Sequence, residues 1–148
     1  MSEFQIREDV AAGGVRTFHI AGDVDFGVAP ELKTRITKRI DAGDRRVVVD
    51  LTETGFVDST AIGVLVGALK RLHGSGGELA VVCDNEDVRN IFAVVGLEHV
   101  IPLHRSQEDA LAVLALLPPA PGARPPPPSR NAEPQRPAPA GVPRWPQR

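Results

Sequence analysis

Between Arg46 and Val82 the spacing of apolar residues changes twice, and this change restricts the fold more than any other stretch of the chain. The run Arg46-Val47-Val48-Val49-Asp50-Leu51 has the composition of a buried strand. Ile62, Leu65, Val66, Leu69 and Leu72 then recur at helical spacing, Gly74, Gly76 and Gly77 stop that helix, and Glu78 to Val82 forms the next strand. Two strands joined through a helix of about 15 residues run parallel, with a right-handed crossover.

The flanking segments extend the pattern. Phe4 to Val10 and Val15 to Ile20 read as strands joined by Ala11-Ala12-Gly13-Gly14, a glycine-bearing connection suited to a hairpin. Pro30 opens a helix that buries Leu32, Ile36 and Ile40 and turns Lys33, Arg35, Lys38 and Arg39 to water. A third helix starts near Glu86, with Val88, Ile91, Phe92 and Val95 on one face and Gly96 as its cap. A short strand around Val100 precedes a last helix. That helix opens at Ser106 with a capping-box-like Ser-Gln-Glu-Asp, Asp109 standing in for the usual Glu, and buries Leu111, Leu114 and Leu117. The expected fold class is α/β, a sandwich with a small mixed β-sheet and about four helices mainly on one face.

Composition divides the chain at residue 117. Pro118 to Arg148 holds 12 of the 14 prolines, five arginines and one acid. Such a segment buries too little apolar surface to offset its ordering entropy, so residues 118–148 are expected to be a disordered Pro/Arg-rich tail and residues 1–117 one folded domain. The tail's charge of +4, taken from the chain's −2, leaves the domain at −6, a poor match for a phosphate backbone, and no direct nucleic-acid contact is expected of it. Within the tail, Pro125 to Pro128 favours polyproline II, and Trp145 is either exposed or a weak docking residue.

Cys83 is the single cysteine, which excludes an intramolecular disulfide and argues against a thiolate-rich metal site. Its expected place is as a small apolar side chain near a strand end. His19, His73, His99 and His104 show no ligand spacing and read as strand or loop residues. No charged-then-apolar leader opens the chain, and the longest apolar run, Ala110 to Leu117, has eight residues. No cofactor, no metal and no membrane partner are expected, and the localisation expected is cytoplasmic.

Chemistry concentrates in Val57-Asp58-Ser59-Thr60-Ala61-Ile62-Gly63-Val64-Leu65, the junction between strand and second helix. On residue type alone, Ser59 is a helix cap accepting a bond from the amide of Ala61 or Ile62. Gly63 and Gly67 each lower helix propensity by about 1 kcal/mol relative to alanine. Two explanations stand side by side: close packing of the helix on its neighbours, or a shallow surface beside Ser59 where a partner's backbone comes near.

The block from Asp58 to Arg71, with Gly22-Asp23-Val24-Asp25 upstream and Gly74-Ser75-Gly76-Gly77-Glu78 downstream, resembles the STAS domain family, and among its members the anti-sigma factor antagonists. The likeness covers roughly residues 4 to 117 in order and is sharpest at Asp-Ser-Thr-x-Ile-Gly-Val-Leu, where the family carries its phosphorylatable serine directly after an aspartate. Where close relatives often have glycine, this chain has Ala61.

The resemblance implies the same architecture and a partner-switching cycle. Unphosphorylated protein binds an anti-sigma factor that is also a serine/threonine kinase, and the sigma factor is released. Phosphorylation of Ser59 ends the complex, and a metal-dependent serine phosphatase acting on phospho-Ser59 restores it. Thr60 is a second, lesser acceptor. Asp25 matches the family's acidic residue in the loop before the first helix and would orient the hydroxyl or contact the kinase, although a plain loop carboxylate explains it equally well. Asp58, with Asp23 a weaker companion, Ser59, Thr60, Gly63 and Gly67 complete the implied partner surface. ATP belongs to the kinase, since this chain has no Walker-type phosphate loop. A second reading keeps the fold without the switch, as a scaffold subunit of a stress-sensing or lipid-transport complex. An enzyme built on Asp58 and Ser59 would lack a base placed beside the serine.

Overall fold

The computed structural model describes residues 4–116, so the tail from Pro118, and with it Leu117, lies outside the described residues. In chain order the elements are β1 (Gln5–Ala11), a single 3₁₀ turn (Ala12–Gly14), β2 (Val15–Ala21), α1 (Ala29–Asp41), β3 (Arg46–Glu53), α2 (Ser59–Gly74), β4 (Glu78–Val82), α3 (Glu86–Val94), β5 (Leu103–His104) and α4 (Gln107–Ala115). The sheet order is β1-β2-β3-β4-β5. β1 pairs antiparallel with β2, and the other neighbours are parallel, so α2 is the crossover that the spacing predicts.

The valine run of β3 explains the layering, because successive strand residues point to opposite faces. Val47, Val49 and Leu51 enter the larger core with Phe18, Leu32, Ile36, Leu65, Leu72 and Phe92, under α1, α2 and α3. Val48 turns the other way and meets Val15, Ala80, Val82, Ala110 and Leu114 beneath α4. Three helices therefore cover one face and one covers the other.

Several local expectations are corrected by packing. Val95 ends α3 as its cap residue and is half exposed, because Val88 and Phe92 alone reach the core fully. The strand expected around Val100 lies instead at Leu103–His104, with Val100 exposed and Ile101 buried. α4 buries Ala110 and Leu114, while Leu111 is only half-buried. Of the four histidines, His73 sits in the last turn of α2 rather than in a strand or loop.

Arg35 and Arg39 do not simply face water. Arg39 Nε donates to Glu8 Oε1 at 2.7 Å and Arg35 Nη1 to Glu8 Oε2 at 3.1 Å, which clamps α1 onto the edge strand β1. Burial alone would raise the Glu8 carboxyl, but the two guanidiniums outweigh it and hold the group below its ordinary value. Cys83 is fully buried in the larger core, as expected, and desolvation pushes its thiol up, away from the reactive thiolate.

Gly77 is required by close approach rather than by its dihedral angles. A Cβ there would stand 2.3 Å from the Arg45 carbonyl oxygen. The same carbonyl accepts the Glu78 amide at 2.8 Å, where β4 begins beside β3.

Candidate functional site

The site forms where β2 and β3 deliver their C-terminal ends side by side. Beyond the regular ladder, Val24 and Val57 make an isolated parallel bridge. The Val24 amide donates to Phe56 O at 2.9 Å and the Asp58 amide donates to Val24 O at 3.1 Å. Both valines are buried, so the loop that carries Asp23 and Asp25 is stitched to the junction that carries Asp58 and Ser59. These two segments are 33 residues apart at Asp25 and Asp58 in sequence.

The helix start differs from the sequence expectation. Asp58, not Ser59, is the N-cap of α2: its backbone is extended, its carbonyl accepts the Ile62 amide at 3.0 Å, and its carboxylate accepts the Ala61 amide at 2.9 Å. Both residue types suit a cap. Asp58 takes the role because the chain turns helical at Ser59, the phase that buries Ala61, Ile62 and Leu65. Ser59 is consequently the first helical residue and exposed, and among the described residues its hydroxyl engages no hydrogen bond. Thr60 is exposed beside it.

Asp25 has a definite local role. Its carboxylate accepts the Gly27 amide at 2.9 Å, and its carbonyl accepts the amides of Val28 and Ala29 at 3.1 and 2.8 Å, which turns the chain into α1. Asp23 is exposed in the same loop. Asp25, Asp58 and Ser59 therefore share one end of the sheet, with two carboxylates in the neighbourhood of one free hydroxyl.

Gly63 and Gly67 follow Ser59 along the outer face of α2. Both are exposed, and a Cβ at either would meet nothing within 4 Å. Close packing onto a neighbouring helix does not account for them. They lie along an open groove of about 850 Å³ between α1 and α2, reaching from Thr60 to Arg71 and floored by Ala29, Ile36, Val64 and Ala68.

Two exposed aromatic residues were not singled out by the sequence patterns. Phe26 follows Asp25 and is 74% exposed, while Phe56, two residues before Asp58, is 45% exposed. The signal for Phe56 is strand alternation: Val57 points into the core, so its neighbour points out. Phe26 belongs to an irregular loop and has no such marker.

Among the described residues no cluster of three or more histidine, cysteine, aspartate or glutamate side chains is disposed to hold a metal ion. No described helix is long and apolar enough to cross a membrane.

Solved structures share this fold. The anti-sigma-B factor antagonist of Staphylococcus aureus is 28% identical over 89 residues, covering 60% of this chain and 82% of that protein. The crystal structure of an anti-sigma factor antagonist from Mycobacterium paratuberculosis is similar with a TM-score of 0.71 at 23% identity, over 76% of this chain and 94% of that one. The anti-sigma factor antagonist SpoIIAA in its unphosphorylated form gives a TM-score of 0.62 at 15% identity, over 76% of this chain and 100% of that one. Its Bacillus phosphorylated form gives 0.60 at 16%, over 74% and 98%. The structural likenesses speak for the fold, a mixed five-stranded sheet with four helices. The STAS domain profile matches residues 7–110, most of the folded part, and on that match the chain belongs to the STAS domain family.

Proposed function

We propose that this protein is an anti-sigma factor antagonist controlled by phosphorylation at Ser59. Unphosphorylated, it binds an anti-sigma factor that is also a serine/threonine kinase, and a sigma factor is released. The observation that carries this reading is the cap: because the Asp58 carboxylate serves the Ala61 amide, the exposed Ser59 hydroxyl is available to a kinase without loss of the helix start. In the transfer, Ser59 Oγ bonds to the γ-phosphorus of kinase-bound ATP, the bond to the ADP leaving group breaks, and the hydroxyl proton passes to a base on the kinase.

A phosphoryl group adds roughly −1.5 to −2 charge at pH 7. At the N-terminus of α2 the helix dipole and free amides favour that anion, so the modified domain stays folded. SpoIIAA, whose unphosphorylated and phosphorylated forms both match this fold, is consistent with such tolerance. At an interface the same dianion is desolvated near Asp58 and Asp25, at a cost of about a few kcal/mol. Each 1.4 kcal/mol or so is tenfold in affinity, enough to release the partner. A metal-dependent phosphatase acting on phospho-Ser59 would reset the cycle. The protein acts as a regulatory binding protein in the bacterial cytoplasm, as the named relatives' antagonist role suggests.

Titration calorimetry of the full chain against candidate anti-sigma kinases tests the binding half. Unmodified protein and Ser59→Ala are expected to bind one candidate alike, and Ser59→Asp at least about tenfold more weakly. Equal affinity of all three would remove Ser59 from the interface.

A further inference from the structure

We propose that the α1/α2 groove, which takes in the Thr60, Gly63 and Gly67 face of the partner surface, is selective for an acidic, apolar-striped segment of the partner. The proposal rests on the partner-binding reading of α2 but adds a chemistry which that reading does not contain. The groove floor is apolar, formed by Ala29, Ile36, Val64 and Ala68, and its rim carries Lys33, Lys70 and Arg71. Arg71 is held by Asp41, whereas among the described residues no ion pair engages Lys33 or Lys70. Two free ammonium groups therefore flank an apolar trough on a domain whose residues 1–117 sum to −6 with these lysines counted.

Charge decides among occupants. The chain's own Pro/Arg-rich segment carries +4 and is repelled by a lysine rim, so it does not suit the groove. A partner segment with leucine-like side chains for the floor and carboxylates for the rim satisfies both features, in the helix-in-groove manner. Gly63 and Gly67 fit this role, since the absence of side chains keeps the α2 wall low enough for a backbone to approach. The groove begins at Thr60, next to Ser59, so a segment seated there holds its parent protein beside the hydroxyl.

The test uses the full chain and two labelled 15-residue amphipathic peptides with the same leucine stripe, one flanked by glutamates and one by lysines. Fluorescence anisotropy at low salt is expected to show the glutamate peptide binding about tenfold more tightly, with the preference fading as salt rises. Lys33→Glu with Lys70→Glu should reverse the preference. Gly67→Leu, which has open space for its side chain, should weaken both peptides without lowering the melting temperature. Equal binding of the two peptides, or binding of neither, overturns the proposal. A concentration-dependent dimer abolished by Gly67→Leu also overturns it, by assigning the groove to a second copy. Failure of the Ser59 switch is read separately, as absent phosphorylation by any kinase while the peptide preference persists.

Discussion

The Asp58 carboxylate receives the Ala61 amide at 2.9 Å, so α2 is closed by the acid and not by the serine that follows it. This one contact separates the structural duty of the junction from its reactive group. Asp58→Ala is expected to cost about 1 kcal/mol of stability, a fall of about 4 °C in melting temperature for a domain of this size. Ser59→Ala should stay within about 0.5 kcal/mol of the parent, as expected for an exposed residue without partners. Thermal unfolding of both variants, followed by circular dichroism, checks the contrast. A larger loss in Ser59→Ala would return the capping role to the serine.

Glu8 joins β1 to α1 through Arg39 and Arg35, and its carboxyl is held below its ordinary value of 4.5. A carboxyl depressed in the folded state contributes stability that is complete above its unfolded pKa and disappears as pH falls through the folded one. Glu8→Gln should therefore be less stable than the parent by about 1 kcal/mol at pH 7, discounted for the partly exposed arginines. The gap should shrink as pH falls below 4.5 and close as it passes through the depressed folded-state value. Chemical denaturation from pH 7 down across this range measures the difference, and a gap that grows on acidification would reverse the sign.

Gly77 has no room for a side chain. Alanine there would place its Cβ 2.3 Å from the Arg45 carbonyl oxygen, against backbone that also supports the start of β4. The expected loss is about 2 kcal/mol. Gly63→Ala, at an open position on α2, should instead gain some fraction of the roughly 1 kcal/mol by which alanine exceeds glycine in helices. Urea midpoints of the two variants should move in opposite directions.

We also propose that folding is confined to residues 1–117. Deleting residues 118–148 should leave the melting temperature unchanged, as measured by scanning calorimetry of the long and short chains. A large drop would move the domain boundary into the Pro/Arg-rich segment.

The elements with a clear hydrophobic period were legible in the sequence. The valine run of β3, the stripe of α2 and the glycines after it set the parallel crossover, because burial demands those spacings whatever the tertiary detail. What escaped was decided by competition between neighbours. Asp58 and Ser59 are both capable caps, and only the phase of Ala61, Ile62 and Leu65 against the core chooses between them. Val95 fits the α3 period but falls where the helix ends, and Val100 is apolar but exposed, with β5 forming three residues later. The Glu8 clamp joins residues 27 and 31 positions apart, beyond the reach of any local pattern. Phe26 and the lysine rim of the groove became visible only when the α1 loop and α2 were seen side by side.

Ser59 as a phosphorylation switch is tested by intact-mass analysis with phosphosite mapping. The full chain would be incubated with ATP and each candidate anti-sigma kinase from the same genome, with Ser59→Ala as control. A gain of one phosphate with one kinase, mapped to Ser59 and absent from the variant, is expected. No phosphate with any kinase of confirmed activity would contradict it and favour a STAS subunit that binds without switching.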